Sequence, residues 1–131
     1  MKIGWLDRRV MWLLLALSYV YVSLYRLSTA VLSEDLASDF AATATEMGSL
    51  HAVFFAVYAP LQFAAGVLAD RYGPRRVVAA GALVMHAGAL AFSGSNSLEL
   101  ALAGRFLMGA GASVIFISTL RFCANWYGPR E

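Results

Sequence analysis

A chain of 131 residues would ordinarily form one small water-soluble domain, yet 60% of this one is hydrophobic and only 14% is charged, against about 25% charged in soluble domains. That much apolar surface cannot be hidden from water at this length, so the solvent must be lipid. The net charge of +2 is too small to argue for a nucleic-acid partner, and a lone cysteine, Cys123, excludes an internal disulfide.

Lys2, Arg8 and Arg9 precede the first apolar run, as in a secretory leader. The run is longer than a leader's apolar core, and three more runs follow it, so the segment reads as a first membrane span. About 20 apolar residues carry a helix across the hydrocarbon core. Four segments qualify, roughly 10–32, 47–69, 77–95 and 98–124, and the predicted fold is an all-α integral membrane protein with four transmembrane helices. The segment around 33–46 reads as a loop. Thr43 with Glu46, and Asn96 with Glu99, have the spacing of capping boxes that open the second and fourth spans. Ser93-Gly94-Ser95-Asn96-Ser97 forms a short turn between the third and fourth. Cys123, near the end of the last span, reads as a small packing residue.

Charge sets the orientation. Lys2, Arg8, Arg9, Arg71, Arg75, Arg76, Arg121 and Arg130 all fall on one side. The loops on the other side hold Glu34, Asp35, Asp39, Glu46 and Glu99 and no lysine or arginine. The positive-inside rule therefore puts both termini in the cytoplasm, with Trp5, Trp12, Tyr72, Trp126 and Tyr127 at the inner boundary, where an aromatic belt is expected.

The turn between the second and third spans is a knot of charge, Gly66-Val67-Leu68-Ala69-Asp70-Arg71-Tyr72-Gly73-Pro74-Arg75-Arg76. No Asp, Glu, Lys or Arg occurs in residues 47–69 before it or 77–98 after it. Gly66 would let its helix approach a neighbour closely, and Gly73 would permit the sharp turn. Asp70 lies at a helix C-terminus, where the dipole disfavours a carboxylate. It needs a positive partner, such as Arg71, Arg75, Arg76 or a helix N-terminus elsewhere.

This turn resembles the signature of the major facilitator superfamily: a glycine, three residues, Asp-Arg, a second glycine and a basic pair. Gly104-Arg105-Phe106-Leu107-Met108-Gly109-Ala110-Gly111 in the fourth span resembles that superfamily's second motif. Tyr25-Arg26, Tyr58-Ala59-Pro60-Leu61-Gln62 and Leu120-Arg121 are further echoes, closest to prokaryotic carriers of organic anions, sugar phosphates and dipeptides. One position departs from the signature, since Pro74 follows the second glycine and the basic pair comes one residue later. The resemblance implies a secondary carrier of the cell membrane that works by alternating access, with a latch formed by Gly66, Asp70, Arg71, Gly73, Arg75 and Arg76. It also implies two six-helix halves with the substrate site between them. The chain would then be the N-terminal part of such a carrier, partnered by the remaining helices, the bilayer and a small-molecule substrate. No cofactor, metal or enzymatic activity is implied.

Arg26 lies eight residues before Glu34, and Arg105 six residues after Glu99. At about 1.5 Å per residue both start roughly 10 Å inside the outer boundary. An arginine within a span costs about 2.5–3.5 kcal/mol on insertion scales and usually serves a purpose. Two cations at one depth would welcome an anion, a carboxylate or phosphate of the substrate or an acidic residue of another helix. The alternatives are snorkelling of Arg26 or its pairing with Glu34 or Asp35, and a structural or proton-coupling role for Arg105. Tyr25, Tyr58 and Gln62 join them as candidate substrate contacts.

His51, Phe55, Tyr58 and Gln62 share a face of the second span, as do Tyr19 with Arg26, and Ser18 with Tyr21 and Tyr25, on the first. Such stripes could line an aqueous path or simply bond neighbouring helices. His51 reads as an interfacial residue and His86 as a satisfied packing residue; neither has ligand partners at metal spacing. Gly104, Gly109 and Gly111, with Ala110, Ala112 and Ser113, make a small-residue face for close packing. The competing architectures are a dimeric four-helix multidrug-type exporter and a non-transporting membrane scaffold. The former needs a carboxylate in the first span, where this chain has Arg26.

Overall fold

The structure, a computed structural model, describes residues 5–127. Lys2 and Arg130 lie outside them, as do the side chains of Trp5, Arg8, Arg9, Cys123, Trp126 and Tyr127. Among the described residues all regular structure is helical: α1 (Trp5–Val31), α2 (Ser33–Asp39), α3 (Ala44–Tyr72), α4 (Pro74–Ser93) and α5 (Leu98–Tyr127). Four of these, all but α2, are long and apolar enough to cross a membrane. The end that carries the α3–α4 turn holds Arg71, Arg75, Arg76 and Arg121 and is called the basic end here. The opposite, acidic end holds Glu34, Asp35, Asp39, Glu46 and Glu99.

Helix α5 is the centre of the molecule, with α4 and α3 packed along it. Lipid tails are as apolar as leucine, so membrane helices gain little by hiding apolar surface and associate through close backbone approach instead. Gly81 and Gly88 on α4 stand seven residues apart, as do Gly104 and Gly111 on α5, a spacing close to two helical turns. The antiparallel helices meet glycine to glycine. A Cβ built on Gly88 would lie 2.7 Å from the Gly104 carbonyl oxygen, and one on Gly104 would lie 2.8 Å from that of Gly88. A Cβ on Gly111 would strike the carbonyl of Gly81. Gly109 points elsewhere, and its Cβ would lie 2.5 Å from the carbonyl oxygen of Phe54 on α3. The small residues of α5 therefore serve two seams rather than the single face expected from the sequence.

The connections are short because their ends are capped. Thr43 and Glu46 form the expected capping box: Thr43 Oγ1 accepts the Glu46 amide at 3.3 Å, and the Glu46 carboxylate accepts the Thr43 amide at 2.8 Å. At α5 the cap is Ser97, not Asn96. The helix begins at Leu98, and Ser97 Oγ accepts the Leu100 amide at 3.3 Å. The segment 33–46 is not a plain loop, since it contains α2. The amides of Ala41 and Ala42 close α2 on the carbonyls of Ser38 and Ala37, a Schellman closure that puts Ala41 at φ 47°. Leu36, Ala37 and Phe40 then pack on buried Met47, Leu50 and Ala101, roofing the acidic end. Pro60 lies inside α3 without ending it, as membrane helices tolerate. A second buried cluster, Val22, Phe54, Met85, Met108, Ala112 and Ile115, fills the middle.

Candidate functional site

The turn at the basic end is one residue long. Gly73, at φ 83°, closes α3 with its amide on the Ala69 carbonyl at 3.1 Å, and Pro74 is already the first residue of α4. Only glycine takes that φ without strain. At the first helical position the missing N–H of proline leaves nothing unsatisfied, so the departure at Pro74 fits the geometry of the turn. Asp70 finds its partner within the chain but not among the expected arginines, because it forms an ion pair with Arg121 of α5. The reason is geometric. Arg121 crosses the α3 surface, and its Nη2 would lie 3.7 Å from a Cβ on Gly66, one turn below Asp70. Gly66 thus gives room to a guanidinium rather than to a neighbouring helix backbone. Arg71 leans over its neighbour Tyr72, 5.6 Å from the ring centroid. Arg75 and Arg76 are exposed and pair with no carboxylate among the described residues.

In the middle of the bundle, Arg26 and Arg105 do lie at one depth, since Arg105 Nη1 donates to the carbonyl of Tyr25 at 2.9 Å. They do not make a common pocket. Arg105 is fully buried, its Nε donates to the Leu50 carbonyl at 3.5 Å, and its guanidinium lies 4.8 Å from the Phe54 ring. Its Nη2 has no hydrogen-bond partner among the described residues. Arg26 is exposed and lies 5.6 Å from the ring of Phe55. Phe54 and Phe55 meet edge to face at 5.4 Å, so two aromatic rings stand between the cations. Each ring offers its negative face to one of them. Arg105 clamps three helices, whereas Arg26 makes no hydrogen bond or ion pair among the described residues.

The other expected contacts divide accordingly. Tyr58 is stacked on Phe54 at 5.8 Å, and Gln62 follows it one turn along α3. Arg26 lies against Phe55, and Tyr58 and Gln62 are on the same helix, α3. Tyr25 belongs to a different network. Its hydroxyl is 2.8 Å from that of Tyr21, which is in turn 2.8 Å from His86 Nε2. His86 Nδ1 lies 2.7 Å from the Ala82 carbonyl, which can only accept; Nδ1 is then the protonated nitrogen, and Nε2 accepts the Tyr21 proton. His86 is satisfied as expected, but through α1. His51 is not merely interfacial, because its Nδ1 meets the buried hydroxyl of Thr29 at 3.2 Å. The tyrosine–histidine chain gave no signal in the sequence beyond the shared face of Tyr21 and Tyr25. The role of Arg121 was hidden because its partner lies on another helix.

Residues 11–131 match the sequence profile of the Major Facilitator Superfamily. Two known proteins are similar. The nitrate/nitrite transporter NrtP of Picosynechococcus sp. is 29% identical over 97 residues, 73% of this chain and 18% of that protein. The probable sulfoacetate transporter SauU of Cupriavidus necator is 22% identical over 117 residues, 89% of this chain and 27% of its own length. The chain thus spans about a quarter or less of the relatives it matches. No solved structure matches it. With four membrane-length helices, the signature turn between α3 and α4, the arginine–glycine motif at the centre of α5 and this profile match, the chain is a multi-pass membrane protein and belongs to the major facilitator superfamily.

Proposed function

We propose that this chain forms the first four spans of a secondary carrier of the cell membrane, with its basic end in the cytoplasm, and that the carrier moves a small anion by alternating access. The observation that carries the reading is Arg26, a cation within a membrane span that is exposed and in no ion pair among the described residues, with Phe55 of α3 against it and Tyr58 and Gln62 further along the same helix. A guanidinium held at that depth costs free energy that a bound anion offsets, and its planar fork suits two oxygens of a nitrate, carboxylate or sulfonate. Nitrate, nitrite and sulfoacetate, named in the two relatives, are all small anions. Arg105 stands behind this site as a positioning residue, fixing the α1 backbone at Tyr25, next to Arg26. The Asp70–Arg121 pair is the contact that the signature turn contributes to closing the cytoplasmic side.

The test is uptake by the carrier containing this chain. Arg26→Gln is expected to lower uptake of nitrate or sulfoacetate at least about tenfold, the loss of one charge-assisted bond, with Arg26→Lys recovering part of it. Neutral-solute uptake serves as the control. Unchanged anion uptake in Arg26→Gln would remove the residue from the site.

A further inference from the structure

A second group of ionisable side chains lies on the seam between α1 and α4. Tyr25, Tyr21 and His86 form one unbranched chain of hydrogen bonds, with 2.8 Å between the two hydroxyls and 2.8 Å from the Tyr21 hydroxyl to His86 Nε2. The Tyr21 ring also stacks on the imidazole, with centroids 5.2 Å apart. His86 stands roughly 18 Å along α4 from Pro74 at about 1.5 Å per residue, well inside a hydrocarbon core of about 30 Å. On α4 no other ionisable side chain lies between Val77 and Ser93. On α1 the ionisable groups are Tyr21 in contact, Tyr25 behind it, and Tyr19 and Arg26 outside the chain. On α5, Arg105 is held by the carbonyls of Leu50 and Tyr25. On α3, His51 bonds to Thr29 and Tyr58 stacks on Phe54. Every described carboxylate lies at one end of the bundle or the other.

The chain has a direction, and His86 sets it. Its Nδ1–H is committed to the Ala82 carbonyl at 2.7 Å, so Nε2 is the nitrogen that can take up a proton. While His86 is neutral, Nε2 accepts from Tyr21. A hydroxyl has one proton to give, so Tyr21 must in turn accept from Tyr25. Tyr25 is then left with lone pairs alone for any further neighbour. A proton on Nε2 reverses both links: Nε2–H donates to Tyr21, Tyr21 donates to Tyr25, and the Tyr25 O–H is freed. One proton is added at Nε2, and the two hydroxyl protons turn round without leaving their oxygens. The Tyr25 hydroxyl makes no other hydrogen bond among the described residues, and Tyr25 is next in the chain to Arg26. A lone pair repels an anion, and a free O–H binds one. We propose, on the anion-carrier reading above, that His86 is a proton-binding site whose protonation turns Tyr25 from acceptor to donor, so that proton and anion are taken up together. Charge favours the same pairing, because a cation within a span is costly and a bound anion offsets it.

Nitrogen-15 NMR of the full chain in micelles, labelled at histidine and assigned with His86→Gln, reads the site without transport. The expected result is the Nδ1–H tautomer at about pH 8 and protonation of Nε2 as the pH falls through the histidine range; an Nε2–H tautomer at about pH 8 would overturn the chain. Uptake of nitrate and sulfoacetate by the carrier containing this chain, at about pH 5.5 and about pH 8, lies on either side of the ordinary histidine value. KM for the transported anion is expected to be at least about tenfold lower at the acid pH, the worth of one hydrogen bond to a charged group. Tyr21→Phe keeps the stacked ring but cuts the chain, and His86→Gln removes the titrating group; each is expected to bring the ratio of the two KM values to about one. Tyr19→Phe, which removes a hydroxyl of α1 outside the chain, is expected to keep the ratio. A ratio that survives in His86→Gln would overturn the proton site, and one that survives in Tyr21→Phe would overturn the switch at Tyr25. Loss of the ratio in Tyr19→Phe as well would mean a general disturbance of α1 and overturn it too. Uptake of neither anion at either pH would remove the anion reading and the coupling with it, while the histidine signal would still report the chain, so the two failures are distinct.

Discussion

Two seams of this molecule are built on opposite principles. Between α4 and α5 the backbones themselves touch, glycine against glycine, with no side chain to spare. Between α1 and the rest the contacts are sparser and mixed: Val22 enters the buried middle cluster, and around it lie polar bonds, Arg105 on the Tyr25 carbonyl, Tyr21 on His86, and Thr29 on His51. The first seam has one solution, because any added atom meets backbone. The second is held by Val22 and a few directional bonds. Helices α3, α4 and α5 are therefore expected to make the more rigid unit, and α1, which carries Arg26, to be the helix that loosens first.

The largest test of this contrast is at Gly88, where a side chain would penetrate the α5 backbone. Gly88→Leu is expected to cost more than about 3 kcal/mol, the upper end of ordinary overpacking, and to abolish cooperative thermal unfolding in detergent. Wild-type melting of that variant would break the comparison at its rigid side. Arg105→Met comes next. It removes two charged hydrogen bonds to backbone and one aromatic contact, and should cost about 1.5–3 kcal/mol. Hydrogen exchange should rise in α1 and stay unchanged in α4; a rise spread evenly over all helices would mean that α1 is no looser than the others. Tyr21→Phe is the smallest. It loses the bonds to Tyr25 and His86, worth about 1 kcal/mol together in a membrane protein, and should sharpen the picture through faster exchange at the middle of α1 alone.

Much of this architecture is legible in the sequence. Four apolar runs gave four helices because length and hydropathy alone decide what spans lipid, and Thr43 and Glu46 capped α3 because that interaction is local in sequence. Gly73 and Pro74 were legible for the same reason, one as the required turn and the other as a departure that the helix start explains. What was hidden depends on rotation of one helix against another. The common depth of Arg26 and Arg105 followed from counting residues, but the Phe54–Phe55 pair that separates them depends on how α3 turns toward α1 and α5. The Asp70–Arg121 pair and the matching of Gly81 with Gly111 likewise join residues far apart in the chain. The small residues of α5 announced close packing, although their division between α3 and α4 required the helices to be placed. Ser97 displaced Asn96 because a shift of one residue in a helix start is below what cap spacing resolves.

The single residue at position 73 does more than reverse the chain. A helix turns about 100° per residue, so a one-residue connection leaves α4 no slack in which to rotate independently of α3. Gly81 and Gly88 face α5 only while that angular phase is kept. Lengthening the connection by one residue would release that constraint and leave α4 free to turn side chains toward the Gly104 and Gly111 backbone. The shortest link in the protein thereby sets the rotational register of its tightest interface.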